Sequence, residues 1–225
     1  MAGVRLAFVL IGLATTSPAP QVDLGCLNGS GAPDSSVNCQ PSLTSPDPNS
    51  LISESSVQAI ISGLELNSTS VRFRGCPGHK FETQGRQSDD KIVYYIYYNS
   101  DLNYADPTNI APIAHELGHV FQSKSLGSFD GLKSEPREAV ELGADYLAGY
   151  AFKNFLYTTA PSNLQQSLDL VGSFQNSQDP HGFPAQRTSA FRQGFIRTTR
   201  VKEDVQTAYS NFLRANLYSL LQGTS

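Results

Sequence analysis

His115-Glu116-Leu117-Gly118-His119 constrains this chain more than any other stretch of it. Two histidines four residues apart reach the same point only if the backbone between them is helical, where they emerge one turn apart on one face. Local signals agree with a helix. Asp106-Pro107-Thr108 reads as an N-cap and first helical residue, the pattern runs to about Gln122, and Pro112 marks a kink or a start one turn later. Two imidazoles so placed can share one tetrahedral Zn2+. Glu116, between them, is placed to take a proton from an attacking water and hand it to a leaving amine. Gly118 leaves room for a second helix to approach closely.

A catalytic zinc site needs a third protein ligand and an open position. Ser134-Glu135-Pro136 opens a second long helix, reaching about Tyr157, and this helix carries Glu138, Glu141 and Asp145 on one face. Ala139, Val140, Leu142, Ala144, Tyr146, Leu147 and Ala148 surround them, and acids in so apolar a stretch are costly unless they bind a cation or a partner. Glu138 sits in the first turn, where acidic residues are favoured anyway. Glu141 is therefore the expected third ligand, with Glu138 the alternative. Asp145 is expected to hold the free ring nitrogen of a ligand histidine. Further on, a turn places His181 just before another helix, where its imidazole could donate to a developing oxyanion. Arg187 on that helix could pair with Asp145 or Glu138.

Three motifs occur in order: His115–His119 followed by Val120-Phe121-Gln122; Glu141-Leu142-Gly143-Ala144-Asp145 followed by Tyr146-Leu147-Ala148-Gly149; and His181-Gly182 leading to Gln186-Arg187. Together they resemble the bacterial neutral zinc metallopeptidases with the pattern HExGHxxQ, ELxADxxAG, HGxxxQR, and more distantly the gluzincin peptidases. The resemblance covers about Lys91 to Arg197. It implies a gluzincin-like fold with zinc held by His115, His119 and Glu141 and with Glu116 as base. It further implies that Asp145 orients a ligand histidine and that His181 stabilises the oxyanion.

The rest of the chain sets the frame. Lys91–Tyr98, KIVYYIYY, is the clearest strand, β-branched and aromatic between polar boundaries. It reads as a core strand, with an exposed edge for substrate as the alternative. Ser70–Arg74 suits a short strand, and Cys76–Asp90 reads as a polar loop. Leu51–Leu66 has the spacing of an amphipathic helix capped by Ser53 or Ser55, and further helices are expected over Ser162–Phe174, Ala185–Arg197 and Glu203–Leu221. The fold class is therefore α+β, mostly helical, with a small strand region before the zinc helix.

Residues 1–19 have the form of an export signal: Arg5, the short apolar run Leu6–Ala14, then small residues. That run is too short to span a bilayer, which takes about 20 residues, and no other stretch is long enough, so the mature chain is expected to lack a membrane span. Residues 20–49 are rich in Gly, Pro, Ser and Asn and read as a flexible segment, leaving 50–225 as the metallopeptidase-like domain. Three cysteines, Cys26, Cys39 and Cys76, allow at most one internal disulfide. A net charge of −4 without a basic cluster argues against nucleic acid as a partner. The expectation is an exported zinc metallopeptidase, an endopeptidase acting on peptide or protein substrates. The alternatives are an inactive zinc-binding scaffold of the same fold and a zinc amidase.

Overall fold

A computed structural model describes residues 51, 54–76, 81–88, 91–104, 107–156, 182–200, 203–215 and 217–221. The export-signal segment, the polar segment, Cys26, Cys39, His79, His181 and the helix expected over Ser162–Phe174 lie outside them.

The first helix, α1, spans Ser55–Gly63 and buries Val57, Ile60 and Ile61, with Leu64 just beyond its end. Its N-cap is Glu54, with no side-chain cap bond, so a helix held by its apolar face forms without the serine cap expected. Three strands follow: β1 Val71–Cys76, β2 Glu82–Ser88 and β3 Lys91–Asn99. They form one sheet in the order β1-β3-β2, with β1 parallel and β2 antiparallel to β3.

One expectation is corrected here, and the alternative reading of β3 falls in favour of the core strand expected. The segment read as a polar loop contains β2, and β3 is the central strand with both edges paired, so it has no free edge for a substrate. The β2 sequence, ETQGRQS, escapes hydropathy patterning because Thr83 and Gly85 occupy the inward positions an apolar residue would mark. Gly85 is needed there, since a Cβ would stand 2.9 Å from the Phe129 side chain. On β3, Tyr94, Ile96 and Tyr98 point into the core on one face while Tyr97 is also covered on the other, and the Tyr94 hydroxyl meets Ser123 Oγ at 3.1 Å, tying the sheet to the next helix.

That helix, α2, spans Ala111–Leu126 behind a short 3-10 turn at Pro107–Ile110, so the later of the two expected starts is the observed one. Residues 111 to 123 are all buried, which makes α2 a central element rather than an amphipathic surface helix. It ends at Gly127, whose φ of 78° is left-handed backbone that favours glycine. A short helix, α3, occupies Phe129–Lys133, where only a connection was expected, capped by Ser128 Oγ on the Gly131 N–H at 2.8 Å.

The long helix α4, Arg137–Leu156, packs against α1, α2, α5 (Pro184–Arg200) and α6 (Val205–Ala215). Small residues bring these backbones together. A Cβ on Gly118 would stand 2.9 Å from the Ala144 carbonyl oxygen, and Cβ atoms on Gly149 and Gly194 would fall 1.9 Å from the carbonyl oxygens of Phe191 and Tyr146. Asp204 caps α6 through the Thr207 N–H at 2.7 Å. The final helix expected from residue 203 to 221 is described as α6 and α7, Leu217–Leu221, on either side of residue 216. The domain is mostly helical with one small sheet, an α+β arrangement. Among the described residues, no helix is long and apolar enough to cross a membrane.

Candidate metal centre

The tight crossing of α2 and α4 at Gly118 turns the ligand faces of both helices toward each other. His115 and His119 lie one turn apart on α2 with their ring centroids 4.7 Å apart, and Glu141 rises from α4 to meet them. His115 Nε2 stands 3.1 Å from His119 Nε2 and 3.1 Å from Glu141 Oε2, and His119 Nε2 is 3.7 Å from the same carboxylate oxygen. The three side chains are buried, at 4 %, 0 % and 0 % exposure. Glu138, the alternative third ligand, is half-buried and lies with its side chain beside Gly182, outside this trio.

The outer nitrogens explain why the inner ones converge. His115 Nδ1 faces Asp145 Oδ1 at 2.8 Å, and His119 Nδ1 faces Gln122 Oε1 at 2.9 Å. Both partners are acceptors, so each Nδ1 carries a proton and each Nε2 is directed inward. Two imidazole nitrogens and a carboxylate oxygen then point at one another, an arrangement that needs a proton or a cation among them. With no metal, His115 holds that proton. Burial disfavours its imidazolium, but the Asp145 charge and hydrogen bonds to Asp145 and Glu141 outweigh burial and raise its pKa to about 10. Burial likewise works against an ionised Glu141, yet the two histidines hold its carboxyl well below the usual range.

The donor set fits a divalent ion. Ligands about 2.0–2.2 Å from a tetrahedral Zn2+ lie roughly 3.3–3.6 Å from each other, and the observed separations bracket that range. Two imidazoles and one carboxylate leave a fourth position without a protein ligand among the described residues.

Asp145 and Arg187 stand behind His115 as expected. Arg187 donates from Nε to Asp145 Oδ2 at 2.8 Å and from Nη2 to Oδ1 at 2.9 Å, a two-pronged pair with both side chains buried. Burial alone would raise the Asp145 carboxyl, but Arg187 and His115 keep it below its ordinary value. Of Arg187's two expected partners, Asp145 is the one engaged in this pair.

Glu116 projects from α2 toward the sheet. Thr83 Oγ1, on β2, lies 2.6 Å from Glu116 Oε2 and 3.1 Å from the Glu116 carbonyl oxygen. Burial raises the Glu116 pKa, opposed by His119, His115 and the Thr83 hydrogen bond. Thr83 was invisible in the sequence, being a lone threonine in a polar stretch 33 residues earlier. Gln122 carried a weak signal, three residues after His119 on the same helix. His181 lies outside the described residues, but Gly182 beside it packs against α4, where an added Cβ would stand 3.3 Å from Leu142 and 3.6 Å from Glu138. No protein-family model, no curated protein and no solved structure matches the chain.

Proposed function

We propose that the chain is an exported zinc-dependent metallopeptidase, an endopeptidase of gluzincin-like fold. One observation carries the reading: a buried carboxylate, Glu116, sits beside three buried metal-ligating atoms that lie within 4.8 Å of one another. A binding site alone has no use for a further buried acid next to the ligands, and leaving one there is costly.

Zinc in this site would supply a Lewis acid that polarises the scissile carbonyl and promotes ionisation of water. His115, His119 and Glu141 would hold it, and Asp145 with Arg187 would keep His115 in register. Glu116 would act as general base, taking a proton from the attacking water onto its carboxylate and returning it to the leaving amine. Thr83 donates to Oε2 and so holds the carboxylate in one orientation. The raised affinity of Glu116 for a proton suits a group that must accept one and carry it briefly. His181, adjoining the segment at Gly182 that packs on α4, would donate to the oxyanion.

Metal analysis and a broad peptide-library digest test this together. Wild type should carry one zinc, and His115→Ala and Glu141→Ala should each lose it. Glu116→Gln should keep the metal and lose about 10²–10⁴-fold in hydrolysis. Zinc that survives Glu141→Ala would refute the ligand set. A zinc-loaded wild type that cuts no peptide would turn the reading to a scaffold, or to an amidase if only non-peptide amides are cleaved.

A further inference from the structure

The two metal-facing histidines are oriented by unlike partners. Behind His115 stands a charged pair, Asp145 with Arg187. Behind His119 stands a neutral amide, Gln122, which is itself gripped from two sides. Its Nε2 donates to the Val140 carbonyl oxygen at 2.8 Å and to the Tyr209 hydroxyl at 2.9 Å. A carbonyl can only accept, so the NH2 end of the amide must face Val140 and the oxygen must face His119. His119 is thereby obliged to carry its proton on Nδ1 and to present a bare Nε2 to the metal position. Tyr209 belongs to α6, 87 residues after Gln122, so a helix far along the chain reaches the metal site through this amide.

The space for the contact is also provided. Gly143 on α4 faces it, and an added Cβ would stand 2.5 Å from Gln122 Nε2 and 2.7 Å from the Tyr209 hydroxyl. Both atoms are the far ends of side chains that can swing aside. An alanine there would therefore displace the amide and the phenol rather than unfold the helix pair.

We propose that Gln122, clamped by Tyr209 of α6 and the Val140 carbonyl across the gap left by Gly143, is a positioning residue for His119. The Tyr209 contact from α6, rather than the docking of that helix as a whole, then sets how tightly the site holds its ion. This deepens the metal-site reading above and rests on it.

Zinc affinity by chelator competition, the absorption spectrum of the Co2+ form, and the ring-nitrogen NMR signals of His119 in metal-free protein test the proposal. Gln122→Met keeps the side-chain volume and removes the acceptor, and should weaken Zn2+ binding 10–100-fold. Gly143→Ala should weaken it comparably while removing no hydrogen-bonding group. Tyr209→Phe keeps the ring and its edge contact with Phe121, and should weaken binding several-fold. All three should shift the Co2+ bands. Tyr146→Phe is the control: it removes another buried hydroxyl bonded to α6, the one on the Ala208 carbonyl oxygen, a contact that involves neither Gln122 nor His119. It should leave affinity and spectrum as in wild type. Affinities within twofold of wild type for Gln122→Met and Gly143→Ala would overturn the clamp, as would equal loss in Tyr146→Phe or a His119 proton on Nε2 in the metal-free protein. A wild type that takes up no Zn2+ would instead overturn the metal reading, and the His119 tautomer would still decide the clamp.

Discussion

The helical wall and the sheet hold their parts of the site in different ways. In the wall, α2, α4 and α5 meet backbone to backbone at Gly118, Gly149 and Gly194, and buried charges cross between them: Glu141 to the histidines, Arg187 to Asp145 to His115. The sheet reaches the site through one neutral hydroxyl, Thr83, on an edge strand with polar outward residues. The candidate ligands thus sit where geometry is over-determined, and Glu116 is steadied from the sheet by a single hydroxyl group. The contrast predicts that damage to the wall disturbs the fold and metal binding together, whereas damage to the sheet contact disturbs Glu116, the proposed base, alone.

The largest effect should come from Arg187→Met. It leaves the Asp145 carboxylate buried without its guanidinium, and breaking such a pair costs about 3–5 kcal/mol. Thermal unfolding should show a large drop, accompanied by weaker zinc binding. A stable variant with normal metal content would show that the wall does not depend on its charges. Gly149→Ala should come next. The new Cβ would meet the Phe191 carbonyl oxygen, and α4 and α5 cannot part without opening the core, so a loss of about 3 kcal/mol is expected in denaturant titrations.

A pH effect follows from His115, smaller than these per pH unit. Its folded pKa, about 10, lies above the unfolded 6.5, so the folded metal-free chain binds more protons than the unfolded one between these values. The stabilisation is fully present below pH 6.5 and is lost as pH rises through about 10, with a slope of up to roughly 1.4 kcal/mol per pH unit. Zinc displaces that proton, so the slope should flatten in the metal-loaded protein. Equal slopes with and without zinc would place the titrating group elsewhere.

Thr83→Val should have the smallest effect on the fold, about 1–2 kcal/mol, because it removes one hydrogen bond to a buried carboxylate. Zinc affinity should be unchanged while the rate of peptide hydrolysis falls roughly tenfold, with Thr83→Ser restoring it in part. Loss of metal from Thr83→Val would erase the distinction between wall and sheet.

The legible and illegible parts of the molecule divide along the same line. The helix of His115 and His119 and the helix of Glu141 and Asp145 are legible through their start signals and the spacing of their polar residues, and the strand of tyrosines through its β-branched and aromatic run. The strand β2 carries none, since its inward residues are a threonine chosen for its hydroxyl and a glycine chosen for its absence of bulk beside Phe129. Likewise α3 is only five residues long and is stabilised by its Ser128 cap rather than by a pattern.

Sequence alone settled what spacing settles: one helical turn between two imidazoles, a glutamate between them, and an acid-bearing helix to follow, because local backbone geometry fixes which side chains share a face. Tertiary structure decided the rest. It brought Glu141 rather than Glu138 to the histidines, paired Arg187 with Asp145, set Thr83 against Glu116 and Gln122 against Tyr209. Those choices depend on how closely whole helices and strands approach, and that closeness is set by glycines and packing far along the chain from the residues they serve.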